Sequence, residues 1–244
     1  MATASGVSAT PRKRLVLLLA GAAGCLDAVG YLMLGLFTAN MTGNTILLGL
    51  SVGRQAWPDA LRDVLAIAAF VAGAGAGTLV VSSLRRLDQC LGLEAVVLVA
   101  AVAVWLVYGA PRGRIVEPAI AHWLVALLAA AMGIQSAAVR RVGEQRVATT
   151  YVTGTLTTVA TDAAGDLLAR WNRRGGRAGR PPAKPTPRGT ALSVGLWVVY
   201  LFGALVGGFA EQRWSLWAVV APIAVLSGVM AADAAHRSKE AEIQ

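Results

Sequence analysis

Residues 15–53, LVLLLAGAAGCLDAVGYLMLGLFTANMTGNTILLGLSVG, decide how the chain is built. The run 15–36 is long enough to cross a bilayer core as one helix, which takes about 20 apolar residues, and it carries a single charge, Asp27. A charge at mid-membrane costs at least about 2.5 to 3.5 kcal/mol on insertion scales, so Asp27 needs a partner or a purpose. Residues 42–53 are also apolar, but twelve helical residues cover only about 18 Å, little more than half the hydrocarbon core. That segment is therefore either a re-entrant half-helix or, by borrowing residues from Phe37 onward, a full span.

Outward from this stretch, further apolar runs occupy 62–82, 91–109, 119–139, 190–210 and 215–235, which makes six long spans in all. A second Thr-Gly segment, 153–168 (TGTLTTVATDAAGDLL), is hydroxyl-rich and poses the same choice, with Ala148 as the upstream residue to borrow from. Only 14% of the 244 residues are charged, 56% are hydrophobic and the mean hydropathy is +0.61. Soluble domains carry roughly a quarter charged residues, so too little polar surface exists here to cover one. An all-α polytopic bundle in a lipid bilayer is the expectation. Trp57, Trp105, Trp123, Trp171, Trp214 and Trp217 lie near the ends of these runs, where interfacial anchors belong.

Lys and Arg number 22 against 13 Asp and Glu, for a formal net charge of +9, and most fall between the apolar runs. Arg12, Lys13 and Arg14 place the N-terminus in the cytoplasm as the flank of an uncleaved first span, and the C-terminus follows it there. Residues 170–189 form a basic, proline-rich loop, read as a topology determinant that can touch anionic lipid headgroups. Six and eight crossings both leave most Lys and Arg inside, so charge does not choose between them. Nucleic-acid binding is not expected, because no element interleaves basic and aromatic residues.

Cys25, Cys90, His122 and His236 are scattered, so no disulfide framework, metal site or cofactor is expected. No Ser-His-Asp set or Gly-rich phosphate loop appears, and the chain is not expected to be an enzyme.

Two halves align. Gly24-Cys25-Leu26-Asp27-Ala28 leads to Met41-Thr42-Gly43-Asn44, as Gly133-Ile134-Gln135-Ser136-Ala137 leads to Val152-Thr153-Gly154-Thr155. Phe70-Val71-Ala72-Gly73-Ala74 with Gly77 answers Tyr200-Leu201-Phe202-Gly203-Ala204 with Gly207. The expected organisation is a tail (1–14), a first membrane repeat (15–110), a second (111–235, including the basic loop) and a tail (236–244). Gly73, Gly77, Gly203 and Gly207 form Gly-x-x-x-Gly pairs for close helix packing, within the chain or in a homo-oligomer. If the Thr-Gly segments do not cross, each half has three spans and the halves are inverted, a transporter-like plan; if they cross, the repeats are parallel.

A helix start inside the membrane exposes unpaired N–H groups and partial positive charge, and a glycine there tolerates a broken backbone. Asp27, Tyr31, Thr42, Asn44, Gln135, Thr153 and Thr155 are accordingly the candidate lining of a midplane site for a small solute. Asp27 has Tyr31 one turn away, and Thr42 and Asn44 across the junction, as candidate donors. Arg140 and Arg141 read as interfacial, and Asp166 with Arg170 as a one-turn pair.

On the paired motifs Asp27-Ala28 with Met41-Thr42-Gly43-Asn44, and Gly133 to Ala137 with Arg140-Arg141 and Val152-Thr153-Gly154-Thr155, the chain resembles the YoaK family of bacterial membrane proteins (DUF1275) over 15–235. The resemblance implies a small multi-pass protein of the bacterial inner membrane with about six spans, and it implies no substrate or catalytic residue. The leading expectation is a small-solute transporter or permease. The alternative is a non-transporting assembly or lipid-binding scaffold.

Overall fold

The structure, a computed structural model, describes residues 9–84, 87–108, 118–142, 152–174, 187–214, 218–220 and 222–228. It is all-α, with helices α1 (Ala9–Leu34), α2 (Met41–Gly53), α3 (Trp57–Leu84), α4 (Leu87–Tyr108), α5 (Pro118–Val142), α6 (Val152–Arg174) and α7 (Pro187–Trp214). Residues 222–228 add a further helical stretch, α8. Five helices are long and apolar enough to cross a membrane: Lys13–Leu34, Trp57–Ser82, Asp88–Tyr108, Pro118–Arg140 and Ala191–Trp214. They coincide with five of the six expected spans; most of the sixth, 215–235, lies outside the described residues.

The centre of the bundle is α1 against α5. In each, 61% of the apolar window is buried, against 22% in α3 and 17% in α7. Both present small residues with interleaved leucines to the core: Leu19, Ala20, Ala23 and Leu26 on α1, Leu124, Leu128, Ala131 and Met132 on α5. The outer helices turn Leu79, Phe202 and Phe209 outward, as a lipid-facing surface requires.

Glycine fixes which helices pair. A Cβ on Gly24 would overlap the Tyr200 carbonyl, and one on Gly203 the Gly21 carbonyl, so α1 and α7 touch backbone to backbone. Gly133 meets the Phe70 carbonyl and Gly73 the Ala130 carbonyl in the same way, joining α3 to α5. Gly207 against Cys25, and Gly77 against Ile134, continue each contact one turn further. Both Gly-x-x-x-Gly pairs are thus used inside the chain rather than between copies.

These contacts also give direction. Along α1 and α7 they climb together, from Leu17 with Gly195 to Leu32 with Gly208, so the two helices run parallel. Gly73 with Ala130 and Gly77 with Ile134 make α3 and α5 parallel likewise. Leu34 and Gly35 share one cavity with Leu50, Arg54, Arg62 and Asp63. The end of α2 and the start of α3 therefore lie beside the end of α1, and α3 returns antiparallel to α1. Helix α2, about 20 Å at 1.5 Å per residue, starts beside Asp27 and ends beside the end of α1. Borrowing from Phe37 does not occur, because 35–40 is non-helical.

Helix α6 is longer than the Thr-Gly segment suggested, continuing to Arg174 because no Gly or Pro stops it after Gly165. It carries Asp162, Asp166, Arg170, Arg173 and Arg174 and is not among the spans. Since α5 ends at the side where α7 begins, α6 has no need to cross. Trp57, Trp123, Trp171 and Trp214 are well exposed, as anchors should be, but Trp105 is only 8% exposed. It shares the buried stripe of α4 with Leu98 and Ala101 and packs the core instead of the interface.

Candidate functional site

The first Thr-Gly junction is built by folding the chain back alongside α1. Gly35 turns it, with φ of 74°, a left-handed conformation that glycine adopts without strain. Residues 36–40 then descend beside α1 to the level of Asp27, where Asn40 caps α2 by accepting from the Gly43 N–H at 3.2 Å.

Asp27 holds this descent in place. Its Oδ1 accepts from the Ala39 N–H at 2.6 Å, the Asn40 N–H at 3.2 Å and the Thr38 hydroxyl at 3.3 Å. Its Oδ2 accepts from the Tyr200 hydroxyl, reaching over from α7, at 2.5 Å. Four donors thus converge on a carboxyl that is 3% exposed, and the group sits where the first turn of α2 leaves N–H groups and partial positive charge. Asn44 closes the junction from the other side. Its Oδ1 accepts from the Phe37 N–H at 2.8 Å and its Nδ2 donates to the Phe37 carbonyl at 2.6 Å, so one side chain supplies both bonds that a neighbouring strand would.

Of the residues singled out from the sequence, Asp27 and Asn44 meet at this junction through the 37–40 backbone, with no direct bond between them. Tyr31 is half exposed and stacks on Phe37, ring centroids 5.0 Å apart. Thr42 is exposed and points away from the junction's bonds. Gln135 is buried and donates from Nε2 to the Leu19 carbonyl at 3.0 Å, tying α5 to α1; its Oε1 has no partner. Thr153 and Thr155 begin α6, and their side chains lie outside the described residues. Arg140 is exposed, in keeping with an interfacial role.

Two groups were missed. Tyr200 was legible only as the partner of Phe70 in the alignment of halves, where a phenol stands against a phenyl ring. Glu94 meets the criterion that singled out Asp27, an acid inside an apolar run, but lies only three residues past the start of the run at 91. It is fully buried, and neither carboxyl oxygen has a hydrogen-bond partner.

A cavity of about 250 Å³ lies above the junction, lined by Leu34, Leu50, Ser51, Arg54, Asp59 and Asp63 among others. Ser51 donates to Asp63 at 2.8 Å and Arg62 pairs with Asp59, so most of its charges are already partnered. Neither Asp27 nor Asn44 lines it, and both are buried. Among the described residues, no group of three or more His, Cys, Asp or Glu stands where it could hold a metal ion.

Residues 15–232 match the family model described as "Protein of unknown function (DUF1275)". The chain is also similar to the "UPF0700 transmembrane protein YoaK" of Bacillus subtilis (strain 168), 30% identical over 230 residues that cover 91% of this chain and 94% of that one. No solved structure matches it.

Proposed function

The chain belongs to the DUF1275 family of membrane proteins, and from that premise we propose that it moves a small polar solute across the bacterial inner membrane, both termini cytoplasmic, by rocking two inverted repeats against each other. The observation that carries the reading is the crossed pairing of helices. Helix α1 packs on α7 and α5 on α3, through glycines at aligned positions, parallel within each pair and antiparallel between the pairs. The remaining helices follow suit. Cys90 of α4 lies against the Ile134 carbonyl of α5, and Ala218, just before α8, lies against Cys25 of α1, the aligned residue. Helix α2 packs on α3 as α6 packs on α7. Inverted repeats of this kind place their binding site at the repeat interface, near broken helices.

The site is centred on Asp27, with Asn44 across the junction from it, and we assign Tyr31, Thr42, Gln135, Thr153 and Thr155 to its lining once it opens. Asp27 already supplies the acceptor oxygens at the start of α2, so no anion is required there. What Asp27 offers on opening is an acceptor, to which a solute brings donors in place of Thr38, Ala39, Asn40 and Tyr200. An ammonium or polyhydroxylated solute fits that exchange. The test is uptake by proteoliposomes of radiolabelled polyols, amino acids and small amines. Asp27→Asn is expected to insert normally and lose at least tenfold in flux; undiminished flux contradicts the assignment.

One observation favours a second reading, a non-transporting scaffold: every polar atom of Asp27 and the Asn44 carboxamide is bonded within the chain. A scaffold would keep that junction closed always. Backbone hydrogen exchange at Ala39 and Asn40 in lipid separates the two, since a transporter must open these bonds and a scaffold need not.

A further inference from the structure

Helix α4 presents one buried stripe, Cys90, Leu91, Glu94, Leu98, Ala101 and Trp105, to the rest of the bundle. Cys90 fixes where it lies: its Sγ is 3.8 Å from the Gly77 carbonyl oxygen of α3 and 3.7 Å from that of Ile134 on α5, either of which its S–H can reach. Glu94, one turn further along the same stripe, therefore sits beside the α3–α5 crossing. It is fully buried, and no donor reaches either of its oxygens. The contrast with Asp27 is one of chemistry, because four donors serve that acid and none serves this one. A bare carboxylate in such surroundings is too costly to persist, whereas a neutral acid is tolerated.

We propose that Glu94 is a proton-carrying site: its carboxyl holds a proton while the faces of α3, α4 and α5 are closed, releases it to water when they part, and must recover it before they close again. The proton moves between the carboxyl oxygen and water, with no other bond changed. As the coupling step of a transport cycle this rests on the transporter reading; that Glu94 holds a proton does not. The titratable or charged side chains on its own helix are Asp88, Cys90 and Tyr108, those described on α5 are His122 and Arg140, and those on α3 are Asp59, Arg62 and Asp63. None of them is hydrogen-bonded to Glu94.

Infrared spectroscopy of the full chain in lipid vesicles tests this without a solute, since a protonated carboxyl has a carbonyl stretch separate from carboxylate and amide bands. At neutral pH the wild type should show such a band, which Glu94→Gln removes and Asp27→Asn leaves in place. No band in the wild type, or a band that survives Glu94→Gln, overturns the proposal. So does a band abolished by added sodium chloride, which would assign Glu94 to a cation instead. Should Glu94→Gln fail to fold, Glu94→Asp keeps an acid at the site and must shift the band; an unshifted band is equally fatal. A Glu94 band in a protein that carries no solute at all would leave the proton where it is proposed and remove only the transporter reading.

Discussion

The two Thr-Gly segments start alike and are held differently. Met41-Thr42-Gly43-Asn44 opens a 13-residue apolar helix, while Val152-Thr153-Gly154-Thr155 opens one of 23 residues bearing five charges. The first is locked by Asp27, Tyr200 and Asn44. The aligned residues are Ser136 and Thr155 in the second half and Phe70 in the first, so the carboxylate, the phenol and the carboxamide are all gone. One junction is closed by these internal bonds, and the side chains that make them have no counterparts at the aligned positions. For a protein that opens alternately to two sides, the gates need not be chemically equivalent, and the acid-bearing gate is the one a solute must compete with.

That contrast can be broken residue by residue. Asp27→Ala leaves two buried N–H groups and two hydroxyls without an acceptor and should cost about 3 to 5 kcal/mol, against less than about 1 kcal/mol for Ser136→Ala, read as thermal unfolding in detergent. Equal losses in the two variants would erase the distinction. Asn44→Ala removes both bonds to Phe37, and about 2 to 3 kcal/mol is expected, whereas the exposed Thr45→Ala should stay within about 0.5 kcal/mol.

Tyr200→Phe gives α7 the ring that α3 carries at the aligned Phe70. A loss of about 1.5 to 3 kcal/mol is expected for a hydrogen bond to a charged group, shrinking sharply in an Asp27→Asn background. An undiminished effect in that background would show that the hydroxyl serves something other than Asp27. The last change expected is a gain. Gln55 follows α2 with φ of 58°, so Gln55→Gly should relieve about 1 kcal/mol and raise the unfolding temperature slightly.

The spans were legible because an uninterrupted run of about 20 apolar residues is what a bilayer core demands and what a water-soluble fold seldom supplies. The pairing of glycines followed from the alignment of the halves, since Gly73 and Gly203 stand at matching positions. The turn back of the chain ahead of α2 was one of two options: twelve residues fit a half-span, but only the Asp27–Ala39 bond reveals that the chain doubles back beside α1. Tyr200 is 173 residues from Asp27, and no local spacing announces such a pair. Trp105 misled because an aromatic near a run's end anchors an interface or fills a core equally well, and only the neighbouring helices decide which. Helix α6 outran its Thr-Gly segment because polar residues extend a helix as readily as apolar ones when no lipid-spanning requirement limits it.

Everything rests on the inverted arrangement, and the side on which Gln55 lies tests it most directly. In a Cys25→Ala, Cys90→Ala background, Gln55→Cys and Lys13→Cys are each exposed to a membrane-impermeant thiol reagent, on intact and on opened cells. Re-entry of α2 predicts that the two positions label from opposite faces, Gln55→Cys from outside. Labelling of both from the same face would make the first Thr-Gly segment a crossing, the repeats parallel and the transporter plan untenable.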